Sequence, residues 1–156
     1  MENSKIEVGD QVPHFTLKDQ NGENFAIRDY IGKKKMIIFF YPKDESAVCT
    51  KEACAFRDSY QYFEEAGAIV IGINSGSAES HKAFAQHHNL NFTLLSDPEN
   101  KVLKLFGIKN FLFLTGRETF VIDESGKVKF RYRGLLNGNA HVEETIDYLQ
   151  SQKVRV

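Results

Sequence analysis

The sequence has little of several features that mark specialised classes of protein. Its 156 residues include only two cysteines, and its formal net charge is −1. Two cysteines are too few for the disulfide framework of a small secreted protein, and too few for a structural zinc site unless histidines join them. A charge near zero gives no general electrostatic affinity for nucleic acid or for an anionic membrane. We therefore expect neither as a partner.

Long apolar runs and segments of biased composition are also missing. No apolar stretch approaches the roughly 20 residues that span a bilayer, and the first residues lack the apolar run of a secretory signal. No internal repeat and no linker rich in proline, glycine or serine interrupts the chain. These absences predict a single domain over residues 1–156 in a reducing compartment, and the cytoplasm is the expected location.

Apolar patterning and turn residues divide the chain into strands and helices. The predicted strands are residues 14–17, 24–27, 36–41, 68–73, 92–95, 119–123 and 128–132, and the predicted helices are residues 46–66, 77–88, 100–106 and 142–149. Strands first alternate with helices, and a hairpin and a terminal helix then close the chain. This order predicts an α/β protein with a thioredoxin-like fold, in which helices flank a mixed central β-sheet.

The two cysteines lie five residues apart, just after the apolar strand 36–41. Where this strand gives way to a helix, Cys49 falls in the first helical turn. Free backbone N–H groups and the helix dipole favour a thiolate there, and the thiolate is the reactive form. Cys49 is therefore a candidate nucleophile. The residues alone do not decide the role of Cys54. It is either the redox partner of Cys49 or a small side chain on another face of the helix.

Their spacing sets a condition on any disulfide between them. Five residues of α-helix turn the chain by about 500° and advance it by about 7.5 Å. Cys54 would then point about 140° away from Cys49, too far for the Cα separation of a disulfide. A disulfide therefore requires the first turns of the helix to unwind.

Two neighbours of Cys49 have a local role in the sequence pattern. Pro42 fixes the backbone where the strand ends. Ser46 lies three residues before Cys49, which suits an N-cap whose hydroxyl accepts the backbone N–H of the third helical residue. The same hydroxyl is placed to contact the sulfur or an oxygen atom that approaches it.

A cation near the sulfur would stabilise the thiolate by direct attraction. Arg117 is distant in sequence, but a thioredoxin-like sheet brings the strand after it close to the first buried strand. On the residues alone, a solvent-exposed loop arginine is the favoured interpretation of Arg117. The candidates nearby in sequence are Lys43, Lys51 and Arg57.

The chain contains the pattern Pro-x-x-x-Ser/Thr-x-x-Cys, with Pro42, Ser46 and Cys49 at the named positions. This order resembles the core motif of the peroxiredoxins, and its surroundings resemble the PrxQ or bacterioferritin-comigratory-protein subfamily. The resemblance runs from residue 8 to the last helix. Further matching segments are residues 80–84, 94–97 and 117–123.

The resemblance implies a thiol-specific peroxidase that reduces hydrogen peroxide and organic hydroperoxides to water and alcohols. Cys49 would attack the peroxide and become a sulfenic acid, which Cys54 would resolve as an intramolecular disulfide. Arg117 would hold the thiolate and polarise the peroxide, Ser46 would hydrogen-bond to it, and Pro42 would exclude water. Thioredoxin or a similar dithiol protein would reduce the disulfide. The resemblance implies no cofactor or metal, and it favours a monomer.

The chain departs from the family pattern directly before Cys49. Relatives often have Thr-Pro-Gly where this sequence has Ser-Ala-Val at residues 46–48. Serine keeps the hydroxyl but lacks the methyl group that restricts the rotamers of threonine. Loss of proline and glycine alters the stiffness of the turn. We expect effects on rate and on sensitivity to overoxidation.

Two other functions share part of this pattern. A peroxide-sensing relay protein would also use Cys49, but it would pass its oxidation to a partner protein. A general dithiol–disulfide reductase is disfavoured because the sequence has no Cys-x-x-Cys motif.

The remaining unusual residues are expected to be structural or exposed. No carboxylate cluster is expected to join the histidines of the predicted helix 77–88, so no metal site is predicted there. All five histidines are expected at the surface: His14, His81, His87, His88 and His141. The apolar run 111–114 suits the core, a pocket wall, a surface for alkyl hydroperoxides or a subunit contact, and the sequence does not choose among these.

Overall fold

A computed structural model describes residues 6–108, 116–134 and 137–154 of the chain. The strands are β1 (Thr16–Asp19), β2 (Asn24–Ala26), β3 (Lys35–Phe40), β4 (Ala68–Asn74), β5 (Thr93–Ser96), β6 (Glu118–Ile122) and β7 (Val128–Arg133). The helices are α1 (Ala47–Asp58), α2 (Tyr60–Glu65), α3 (Ala78–His87), α4 (Lys101–Leu105) and α5 (Gly138–Val154). The apolar run 111–114 lies outside the described residues. Among the described helices, none has the length and apolar character needed to cross a membrane.

The seven strands form one mixed sheet in the order β2-β1-β5-β4-β3-β6-β7. Strand β4 pairs parallel with both β3 and β5. Strand β6 lies antiparallel to β3 and forms a hairpin with β7, as the sequence predicted. Strand β3 lies inside the sheet and is covered on both faces, so its side chains are apolar in succession rather than alternately.

Each face of the sheet carries its own apolar core. Met36, Ile38 and Phe40 point into one core, whereas Ile37 and Phe39 point into the other. The alternation follows from the two-residue period of a strand. The second core also receives α1 and α5, and Cys49 belongs to it. The nucleophile candidate is thereby anchored in one of the two apolar cores.

The predicted helix 46–66 is two helices. Helix α1 ends at Asp58 and α2 begins at Tyr60, because Ser59 has left helical geometry with φ −99° and ψ 7°. Phe56 and Phe63 are both fully buried, so the apolar face continues across the break. Neither glycine nor proline lies at the break, and the sequence pattern therefore gave no sign of it.

Helix α5 begins in direct contact with the first turns of α1. A Cβ atom added at Gly138 would lie 2.6 Å from the carbonyl oxygen of Val48 and 2.8 Å from Cβ of Glu52. Such distances are below van der Waals contact, so only glycine allows this approach. The start of α5 is therefore part of the wall around the Cys49 turn.

Candidate active site

Cys49 lies at the junction of β3 and α1, where the sequence placed it. Strand β3 ends at Phe40, and α1 begins at Ala47 after a short turn. The Cys49 side chain is 1% exposed in this first helical turn. The N-terminal N–H groups of α1 and the helix dipole both favour negative charge at this point.

Arg117 donates a hydrogen bond from Nη2 to the sulfur of Cys49 at 3.1 Å. Because β6 runs antiparallel to β3 with Glu118 opposite Phe40, the residue before β6 lies beside the end of β3. Arg117 is 3% exposed, so its interpretation as a solvent-exposed loop residue is wrong. A guanidinium at this distance stabilises a thiolate more than a thiol.

The other candidate cations have different environments. Lys43 and Lys51 are exposed. Arg57 donates to the carbonyl of His88 at 2.6 Å and pairs with Asp58 at 2.9 Å. Among the described residues, the cation that donates a hydrogen bond to the Cys49 sulfur is therefore Arg117, which is distant in sequence.

Ser46 occupies the N-cap position of α1 with extended φ −69° and ψ 152°, as predicted. Its hydroxyl makes no capping hydrogen bond and instead donates to the carbonyl of Lys43 at 3.1 Å. The expected bond from the third helical N–H is therefore wrong, and the hydroxyl bonds to the preceding turn instead. Pro42 is half-buried in this turn.

Glu52 is the main site residue that sequence reasoning missed. It is fully buried, and its Oε1 accepts a hydrogen bond from Nη1 of Arg117 at 2.5 Å. The guanidinium thus spans Glu52 and Cys49. Burial raises the pKa of Glu52 to about 8, against the attraction of Arg117. Its i+3 spacing from Cys49, on the buried face of the same helix, was the signal that could have found it.

His141 closes this network from α5, and its expected surface position is wrong. The ring is fully buried, and Nε2 donates to the carbonyl of Gly134 at 2.7 Å. Since a neutral imidazole donates from one nitrogen, Nδ1 accepts from the Thr119 hydroxyl at 2.8 Å. Burial lowers the pKa of His141 to about 4. Oε2 of Glu52 lies 3.5 Å from Nδ1 of this uncharged ring.

A second polar network fastens the turn before α1. Asp44 accepts hydrogen bonds from Tyr41 at 2.6 Å, from Ser80 at 2.7 Å and from His81 at 2.7 Å. Burial opposes ionisation of Asp44, but these hydrogen bonds hold its pKa below the usual value. His81 is fully buried, which also corrects its expected surface position, whereas His14 is exposed as predicted.

The geometry defines a class of protein: a thiol-dependent redox enzyme with a buried, arginine-bound cysteine at a helix N-terminus. The profile of the AhpC/TSA family matches residues 8–131. The chain belongs to this family and is a peroxiredoxin, a thiol peroxidase.

Curated relatives are similar to the chain over nearly its whole length. The chloroplastic peroxiredoxin Q of Sedum lineare is 49% identical over 152 residues, covering 96% of this chain and 81% of that protein. The chloroplastic peroxiredoxin Q of Arabidopsis thaliana is 47% identical over 150 residues, covering 95% of this chain and 69% of that protein. The expected resemblance to the PrxQ subfamily is confirmed.

Solved structures confirm the thioredoxin-like fold. The peroxidoxin BcpB of Mycobacterium tuberculosis superimposes with a TM-score of 0.86 at 33% identity, covering 94% of this chain and 97% of that one. A cysteine-to-serine mutant of PrxQ from Xylella fastidiosa has a TM-score of 0.87 at 25% identity, with coverage of 97% and 99%.

The expected cytoplasmic location is contradicted by these comparisons, because the curated relatives are named chloroplastic. The expectation rested on the small number of cysteines and on the lack of an apolar run typical of a secretory signal. Cysteine usage reports whether an environment is reducing, and it does not distinguish one reducing compartment from another.

We expect the free energy of unfolding to fall as the pH rises from 4.5, the usual pKa of Glu52, to about 8, its value in the folded protein. The folded protein keeps a proton on Glu52 in this range and the unfolded chain releases it, so rising pH favours unfolding. Urea unfolding at pH 5 and pH 8 measures the change. In Glu52→Gln this contribution should vanish.

The exposed Glu64→Gln variant is the control, since it should keep the wild-type pH dependence. His141 destabilises the folded state in the opposite direction, below its usual pKa of 6.5, and the wild type and Glu64→Gln share this contribution. The same pH dependence in wild type and Glu52→Gln would contradict the assignment.

Proposed function

We propose that the chain reduces hydrogen peroxide and organic hydroperoxides through Cys49 as peroxidatic residue and Cys54 as resolving residue. The observation that carries the proposal is the hydrogen bond from Arg117 to the Cys49 sulfur at 3.1 Å. The two roles and the choice of substrates go beyond membership of the family.

In the first step the Cys49 thiolate attacks one peroxide oxygen. The S–O bond forms as the O–O bond breaks, and the departing hydroxide or alkoxide takes a proton to become water or alcohol. Arg117 stabilises the thiolate before attack and the negative charge that develops on the peroxide oxygens. Ser46 contributes a hydrogen bond once its hydroxyl turns from the Lys43 carbonyl, and Pro42 shields the sulfur from water.

In the second step the Cys54 thiol condenses with the sulfenic acid, forming a disulfide and releasing one water molecule. Both cysteines belong to the continuous helix α1, with Cys49 buried and Cys54 half-buried. The helix must therefore unwind locally, as the sequence spacing requires. Unwinding also brings the Cys49 sulfur out of the core.

In the third step an external dithiol restores both thiols by thiol–disulfide exchange. We propose a thioredoxin-type protein for this role, because reduction of the disulfide requires two electrons and a dithiol supplies both as it becomes a disulfide itself. A monomer of one domain suffices for peroxide reduction and disulfide formation, since both cysteines belong to the same chain. Neither of these two steps needs a residue from a second subunit.

We expect Cys54→Ser to consume one equivalent of peroxide per chain and then stop, because no thiol is left to resolve the sulfenic acid. Mass spectrometry after one equivalent of peroxide should show one added oxygen in this variant. The wild type should instead lose two hydrogens, which locates the disulfide. Ala55→Ser, at the next half-buried position, is the matched control and should behave as wild type.

Full thioredoxin-linked turnover by Cys54→Ser would contradict the resolving role. The steady-state rate of the wild type with thioredoxin also separates the peroxidase from a peroxide-sensing relay. A relay protein would react once with peroxide and then turn over slowly with thioredoxin.

A further inference from the structure

Three metal-binding side chains meet on the surface beside the turn that precedes α1. His87 donates from Nδ1 to the two carboxylate oxygens of Glu45 at 2.9 and 3.1 Å. His88 donates from Nε2 to the same carboxylate at 2.7 Å. A carboxylate more than 40 residues away in the chain therefore joins these histidines, which corrects the sequence expectation that none would.

The spacing of the donor atoms fits a transition-metal ion. One donor atom from each of Glu45, His87 and His88 lies within 4.8 Å of the other two. Around tetrahedral Zn²⁺, with bonds of about 2.0–2.1 Å, donor atoms lie about 3.3 Å apart. An ion replaces these hydrogen bonds when each proton moves from the donating nitrogen to the other nitrogen of its ring, via solvent, and small side-chain rotations then bring the freed nitrogens and the carboxylate to the metal.

The surrounding contacts hold the ligands in this arrangement. The ring of His88 packs edge-on against that of Phe84, with 5.2 Å between the ring centroids. The backbone carbonyl of His88 accepts a hydrogen bond from Arg57 at 2.6 Å. The side chain of His87 is 67% exposed and that of His88 is 18% exposed. Solvent therefore reaches the cluster and can complete the coordination of an ion.

We propose that Glu45, His87 and His88 bind a divalent transition-metal ion such as Zn²⁺. Two imidazoles and one carboxylate are ligands that zinc accepts, with water at the fourth position. Magnesium and calcium prefer oxygen ligands and should not bind. The site lies outside the Cys49–Arg117–Glu52 network, and none of its ligands contacts the reacting sulfur.

Occupancy would link the turn before α1 to the end of α3. Glu45 lies two residues before the first residue of α1, whereas His87 is the last residue of α3. An ion shared between them opposes movement of the segment that must unwind for Cys49 to reach Cys54. Metal binding would therefore slow disulfide formation, a consequence that rests on the proposed function.

The site is tested without interference from thiols in the Cys49→Ser/Cys54→Ser double variant. We expect Zn²⁺, titrated in competition with a chromogenic chelator, to bind at about one ion per chain. Adding Glu45→Gln, His87→Gln or His88→Gln should weaken binding by at least about 10-fold. Adding His14→Gln at an exposed, separate position should not weaken it, and Mg²⁺ should not bind. Equal Zn²⁺ affinity in the His87→Gln and His14→Gln backgrounds, or no binding, would overturn the site.

The consequence is tested in proteins that keep both cysteines. After one equivalent of hydrogen peroxide, Zn²⁺ should slow disulfide formation at least about 3-fold more in the wild type than in His87→Gln. Any direct effect of zinc on the thiols is common to both proteins and cancels in this ratio. Equal slowing would overturn the coupling. Failure of the proposed function would look different, because the wild type would then form no disulfide without metal, while Zn²⁺ binding by the double variant would be unaffected.

Discussion

Cys49→Ser should abolish peroxide consumption, lowering the rate by about 10³-fold or more, as removal of a catalytic nucleophile does. The serine hydroxyl stays protonated beside Arg117, and it does not form a species equivalent to the sulfenic acid. Loss of peroxide in the presence of thioredoxin and its reductase measures the effect. Stoichiometric oxidation by one equivalent of peroxide, followed by mass spectrometry, shows whether any first turnover remains.

The control for this variant lies in the same helix. Cys54→Ser makes the same chemical change at a half-buried position, and it should keep the first turnover. Thermal unfolding of both variants shows whether α1 is still packed. A folded Cys49→Ser protein that consumes peroxide at the wild-type rate would remove Cys49 from the mechanism.

Arg117→Met should lower kcat/KM for peroxide by about 10²–10³-fold, the usual loss when one charged donor to a reacting group is removed. Methionine fills much of the same volume but offers neither charge nor hydrogen bond to the sulfur 3.1 Å away. The thiolate and the negative charge on the peroxide would both lose their partner. Stopped-flow measurement of the oxidation of Cys49 by peroxide gives the loss in kcat/KM. Alkylation of Cys49 by iodoacetamide at pH 7 should also slow, because it too requires the thiolate.

Arg117 also binds the buried Glu52, so the folding of this variant needs its own control. With a pKa raised to about 8 by burial, Glu52 can stay protonated at pH 7 when the arginine is removed. We therefore expect Arg117→Met to fold, as checked by circular dichroism. Arg28→Met, at an exposed position, should keep wild-type activity. Unchanged oxidation and alkylation rates in folded Arg117→Met would contradict its role beside the sulfur.

The arrangement of Arg117, Glu52 and His141 explains how a charge is retained in the core. Each group is buried, yet the guanidinium binds both the Glu52 carboxyl and the Cys49 sulfur. The imidazole stays neutral because burial and the nearby positive charge of Arg117 lower its pKa, while a hydroxyl and a carbonyl satisfy its two nitrogens. A preorganised donor in a dry site stabilises a thiolate without the reorganisation that water would need.

The sequence by itself determined the order of strands and helices and the location of the nucleophile candidate, although it did not show the break between α1 and α2. Continuous apolar residues identified β3 and β4 as central strands, since both faces of these strands are buried. The turn between Phe40 and Ala47 placed Cys49 in the first turn of α1, as the structure has it. These features are local, because they depend on backbone periodicity and on residues that are close in the chain.

Only the tertiary structure decided which polar side chains meet. Arg117 and Cys49 are 68 residues apart in sequence, Asp44 and His81 are 37 apart, and Glu45 lies 42 residues from His87. The sequence pattern around His81 or His141 resembles that of an exposed helix, because a polar residue with a buried partner looks the same as one facing water. The physical reason is that burial of apolar groups is read from local periodicity, whereas a polar group is buried only where a distant residue satisfies it.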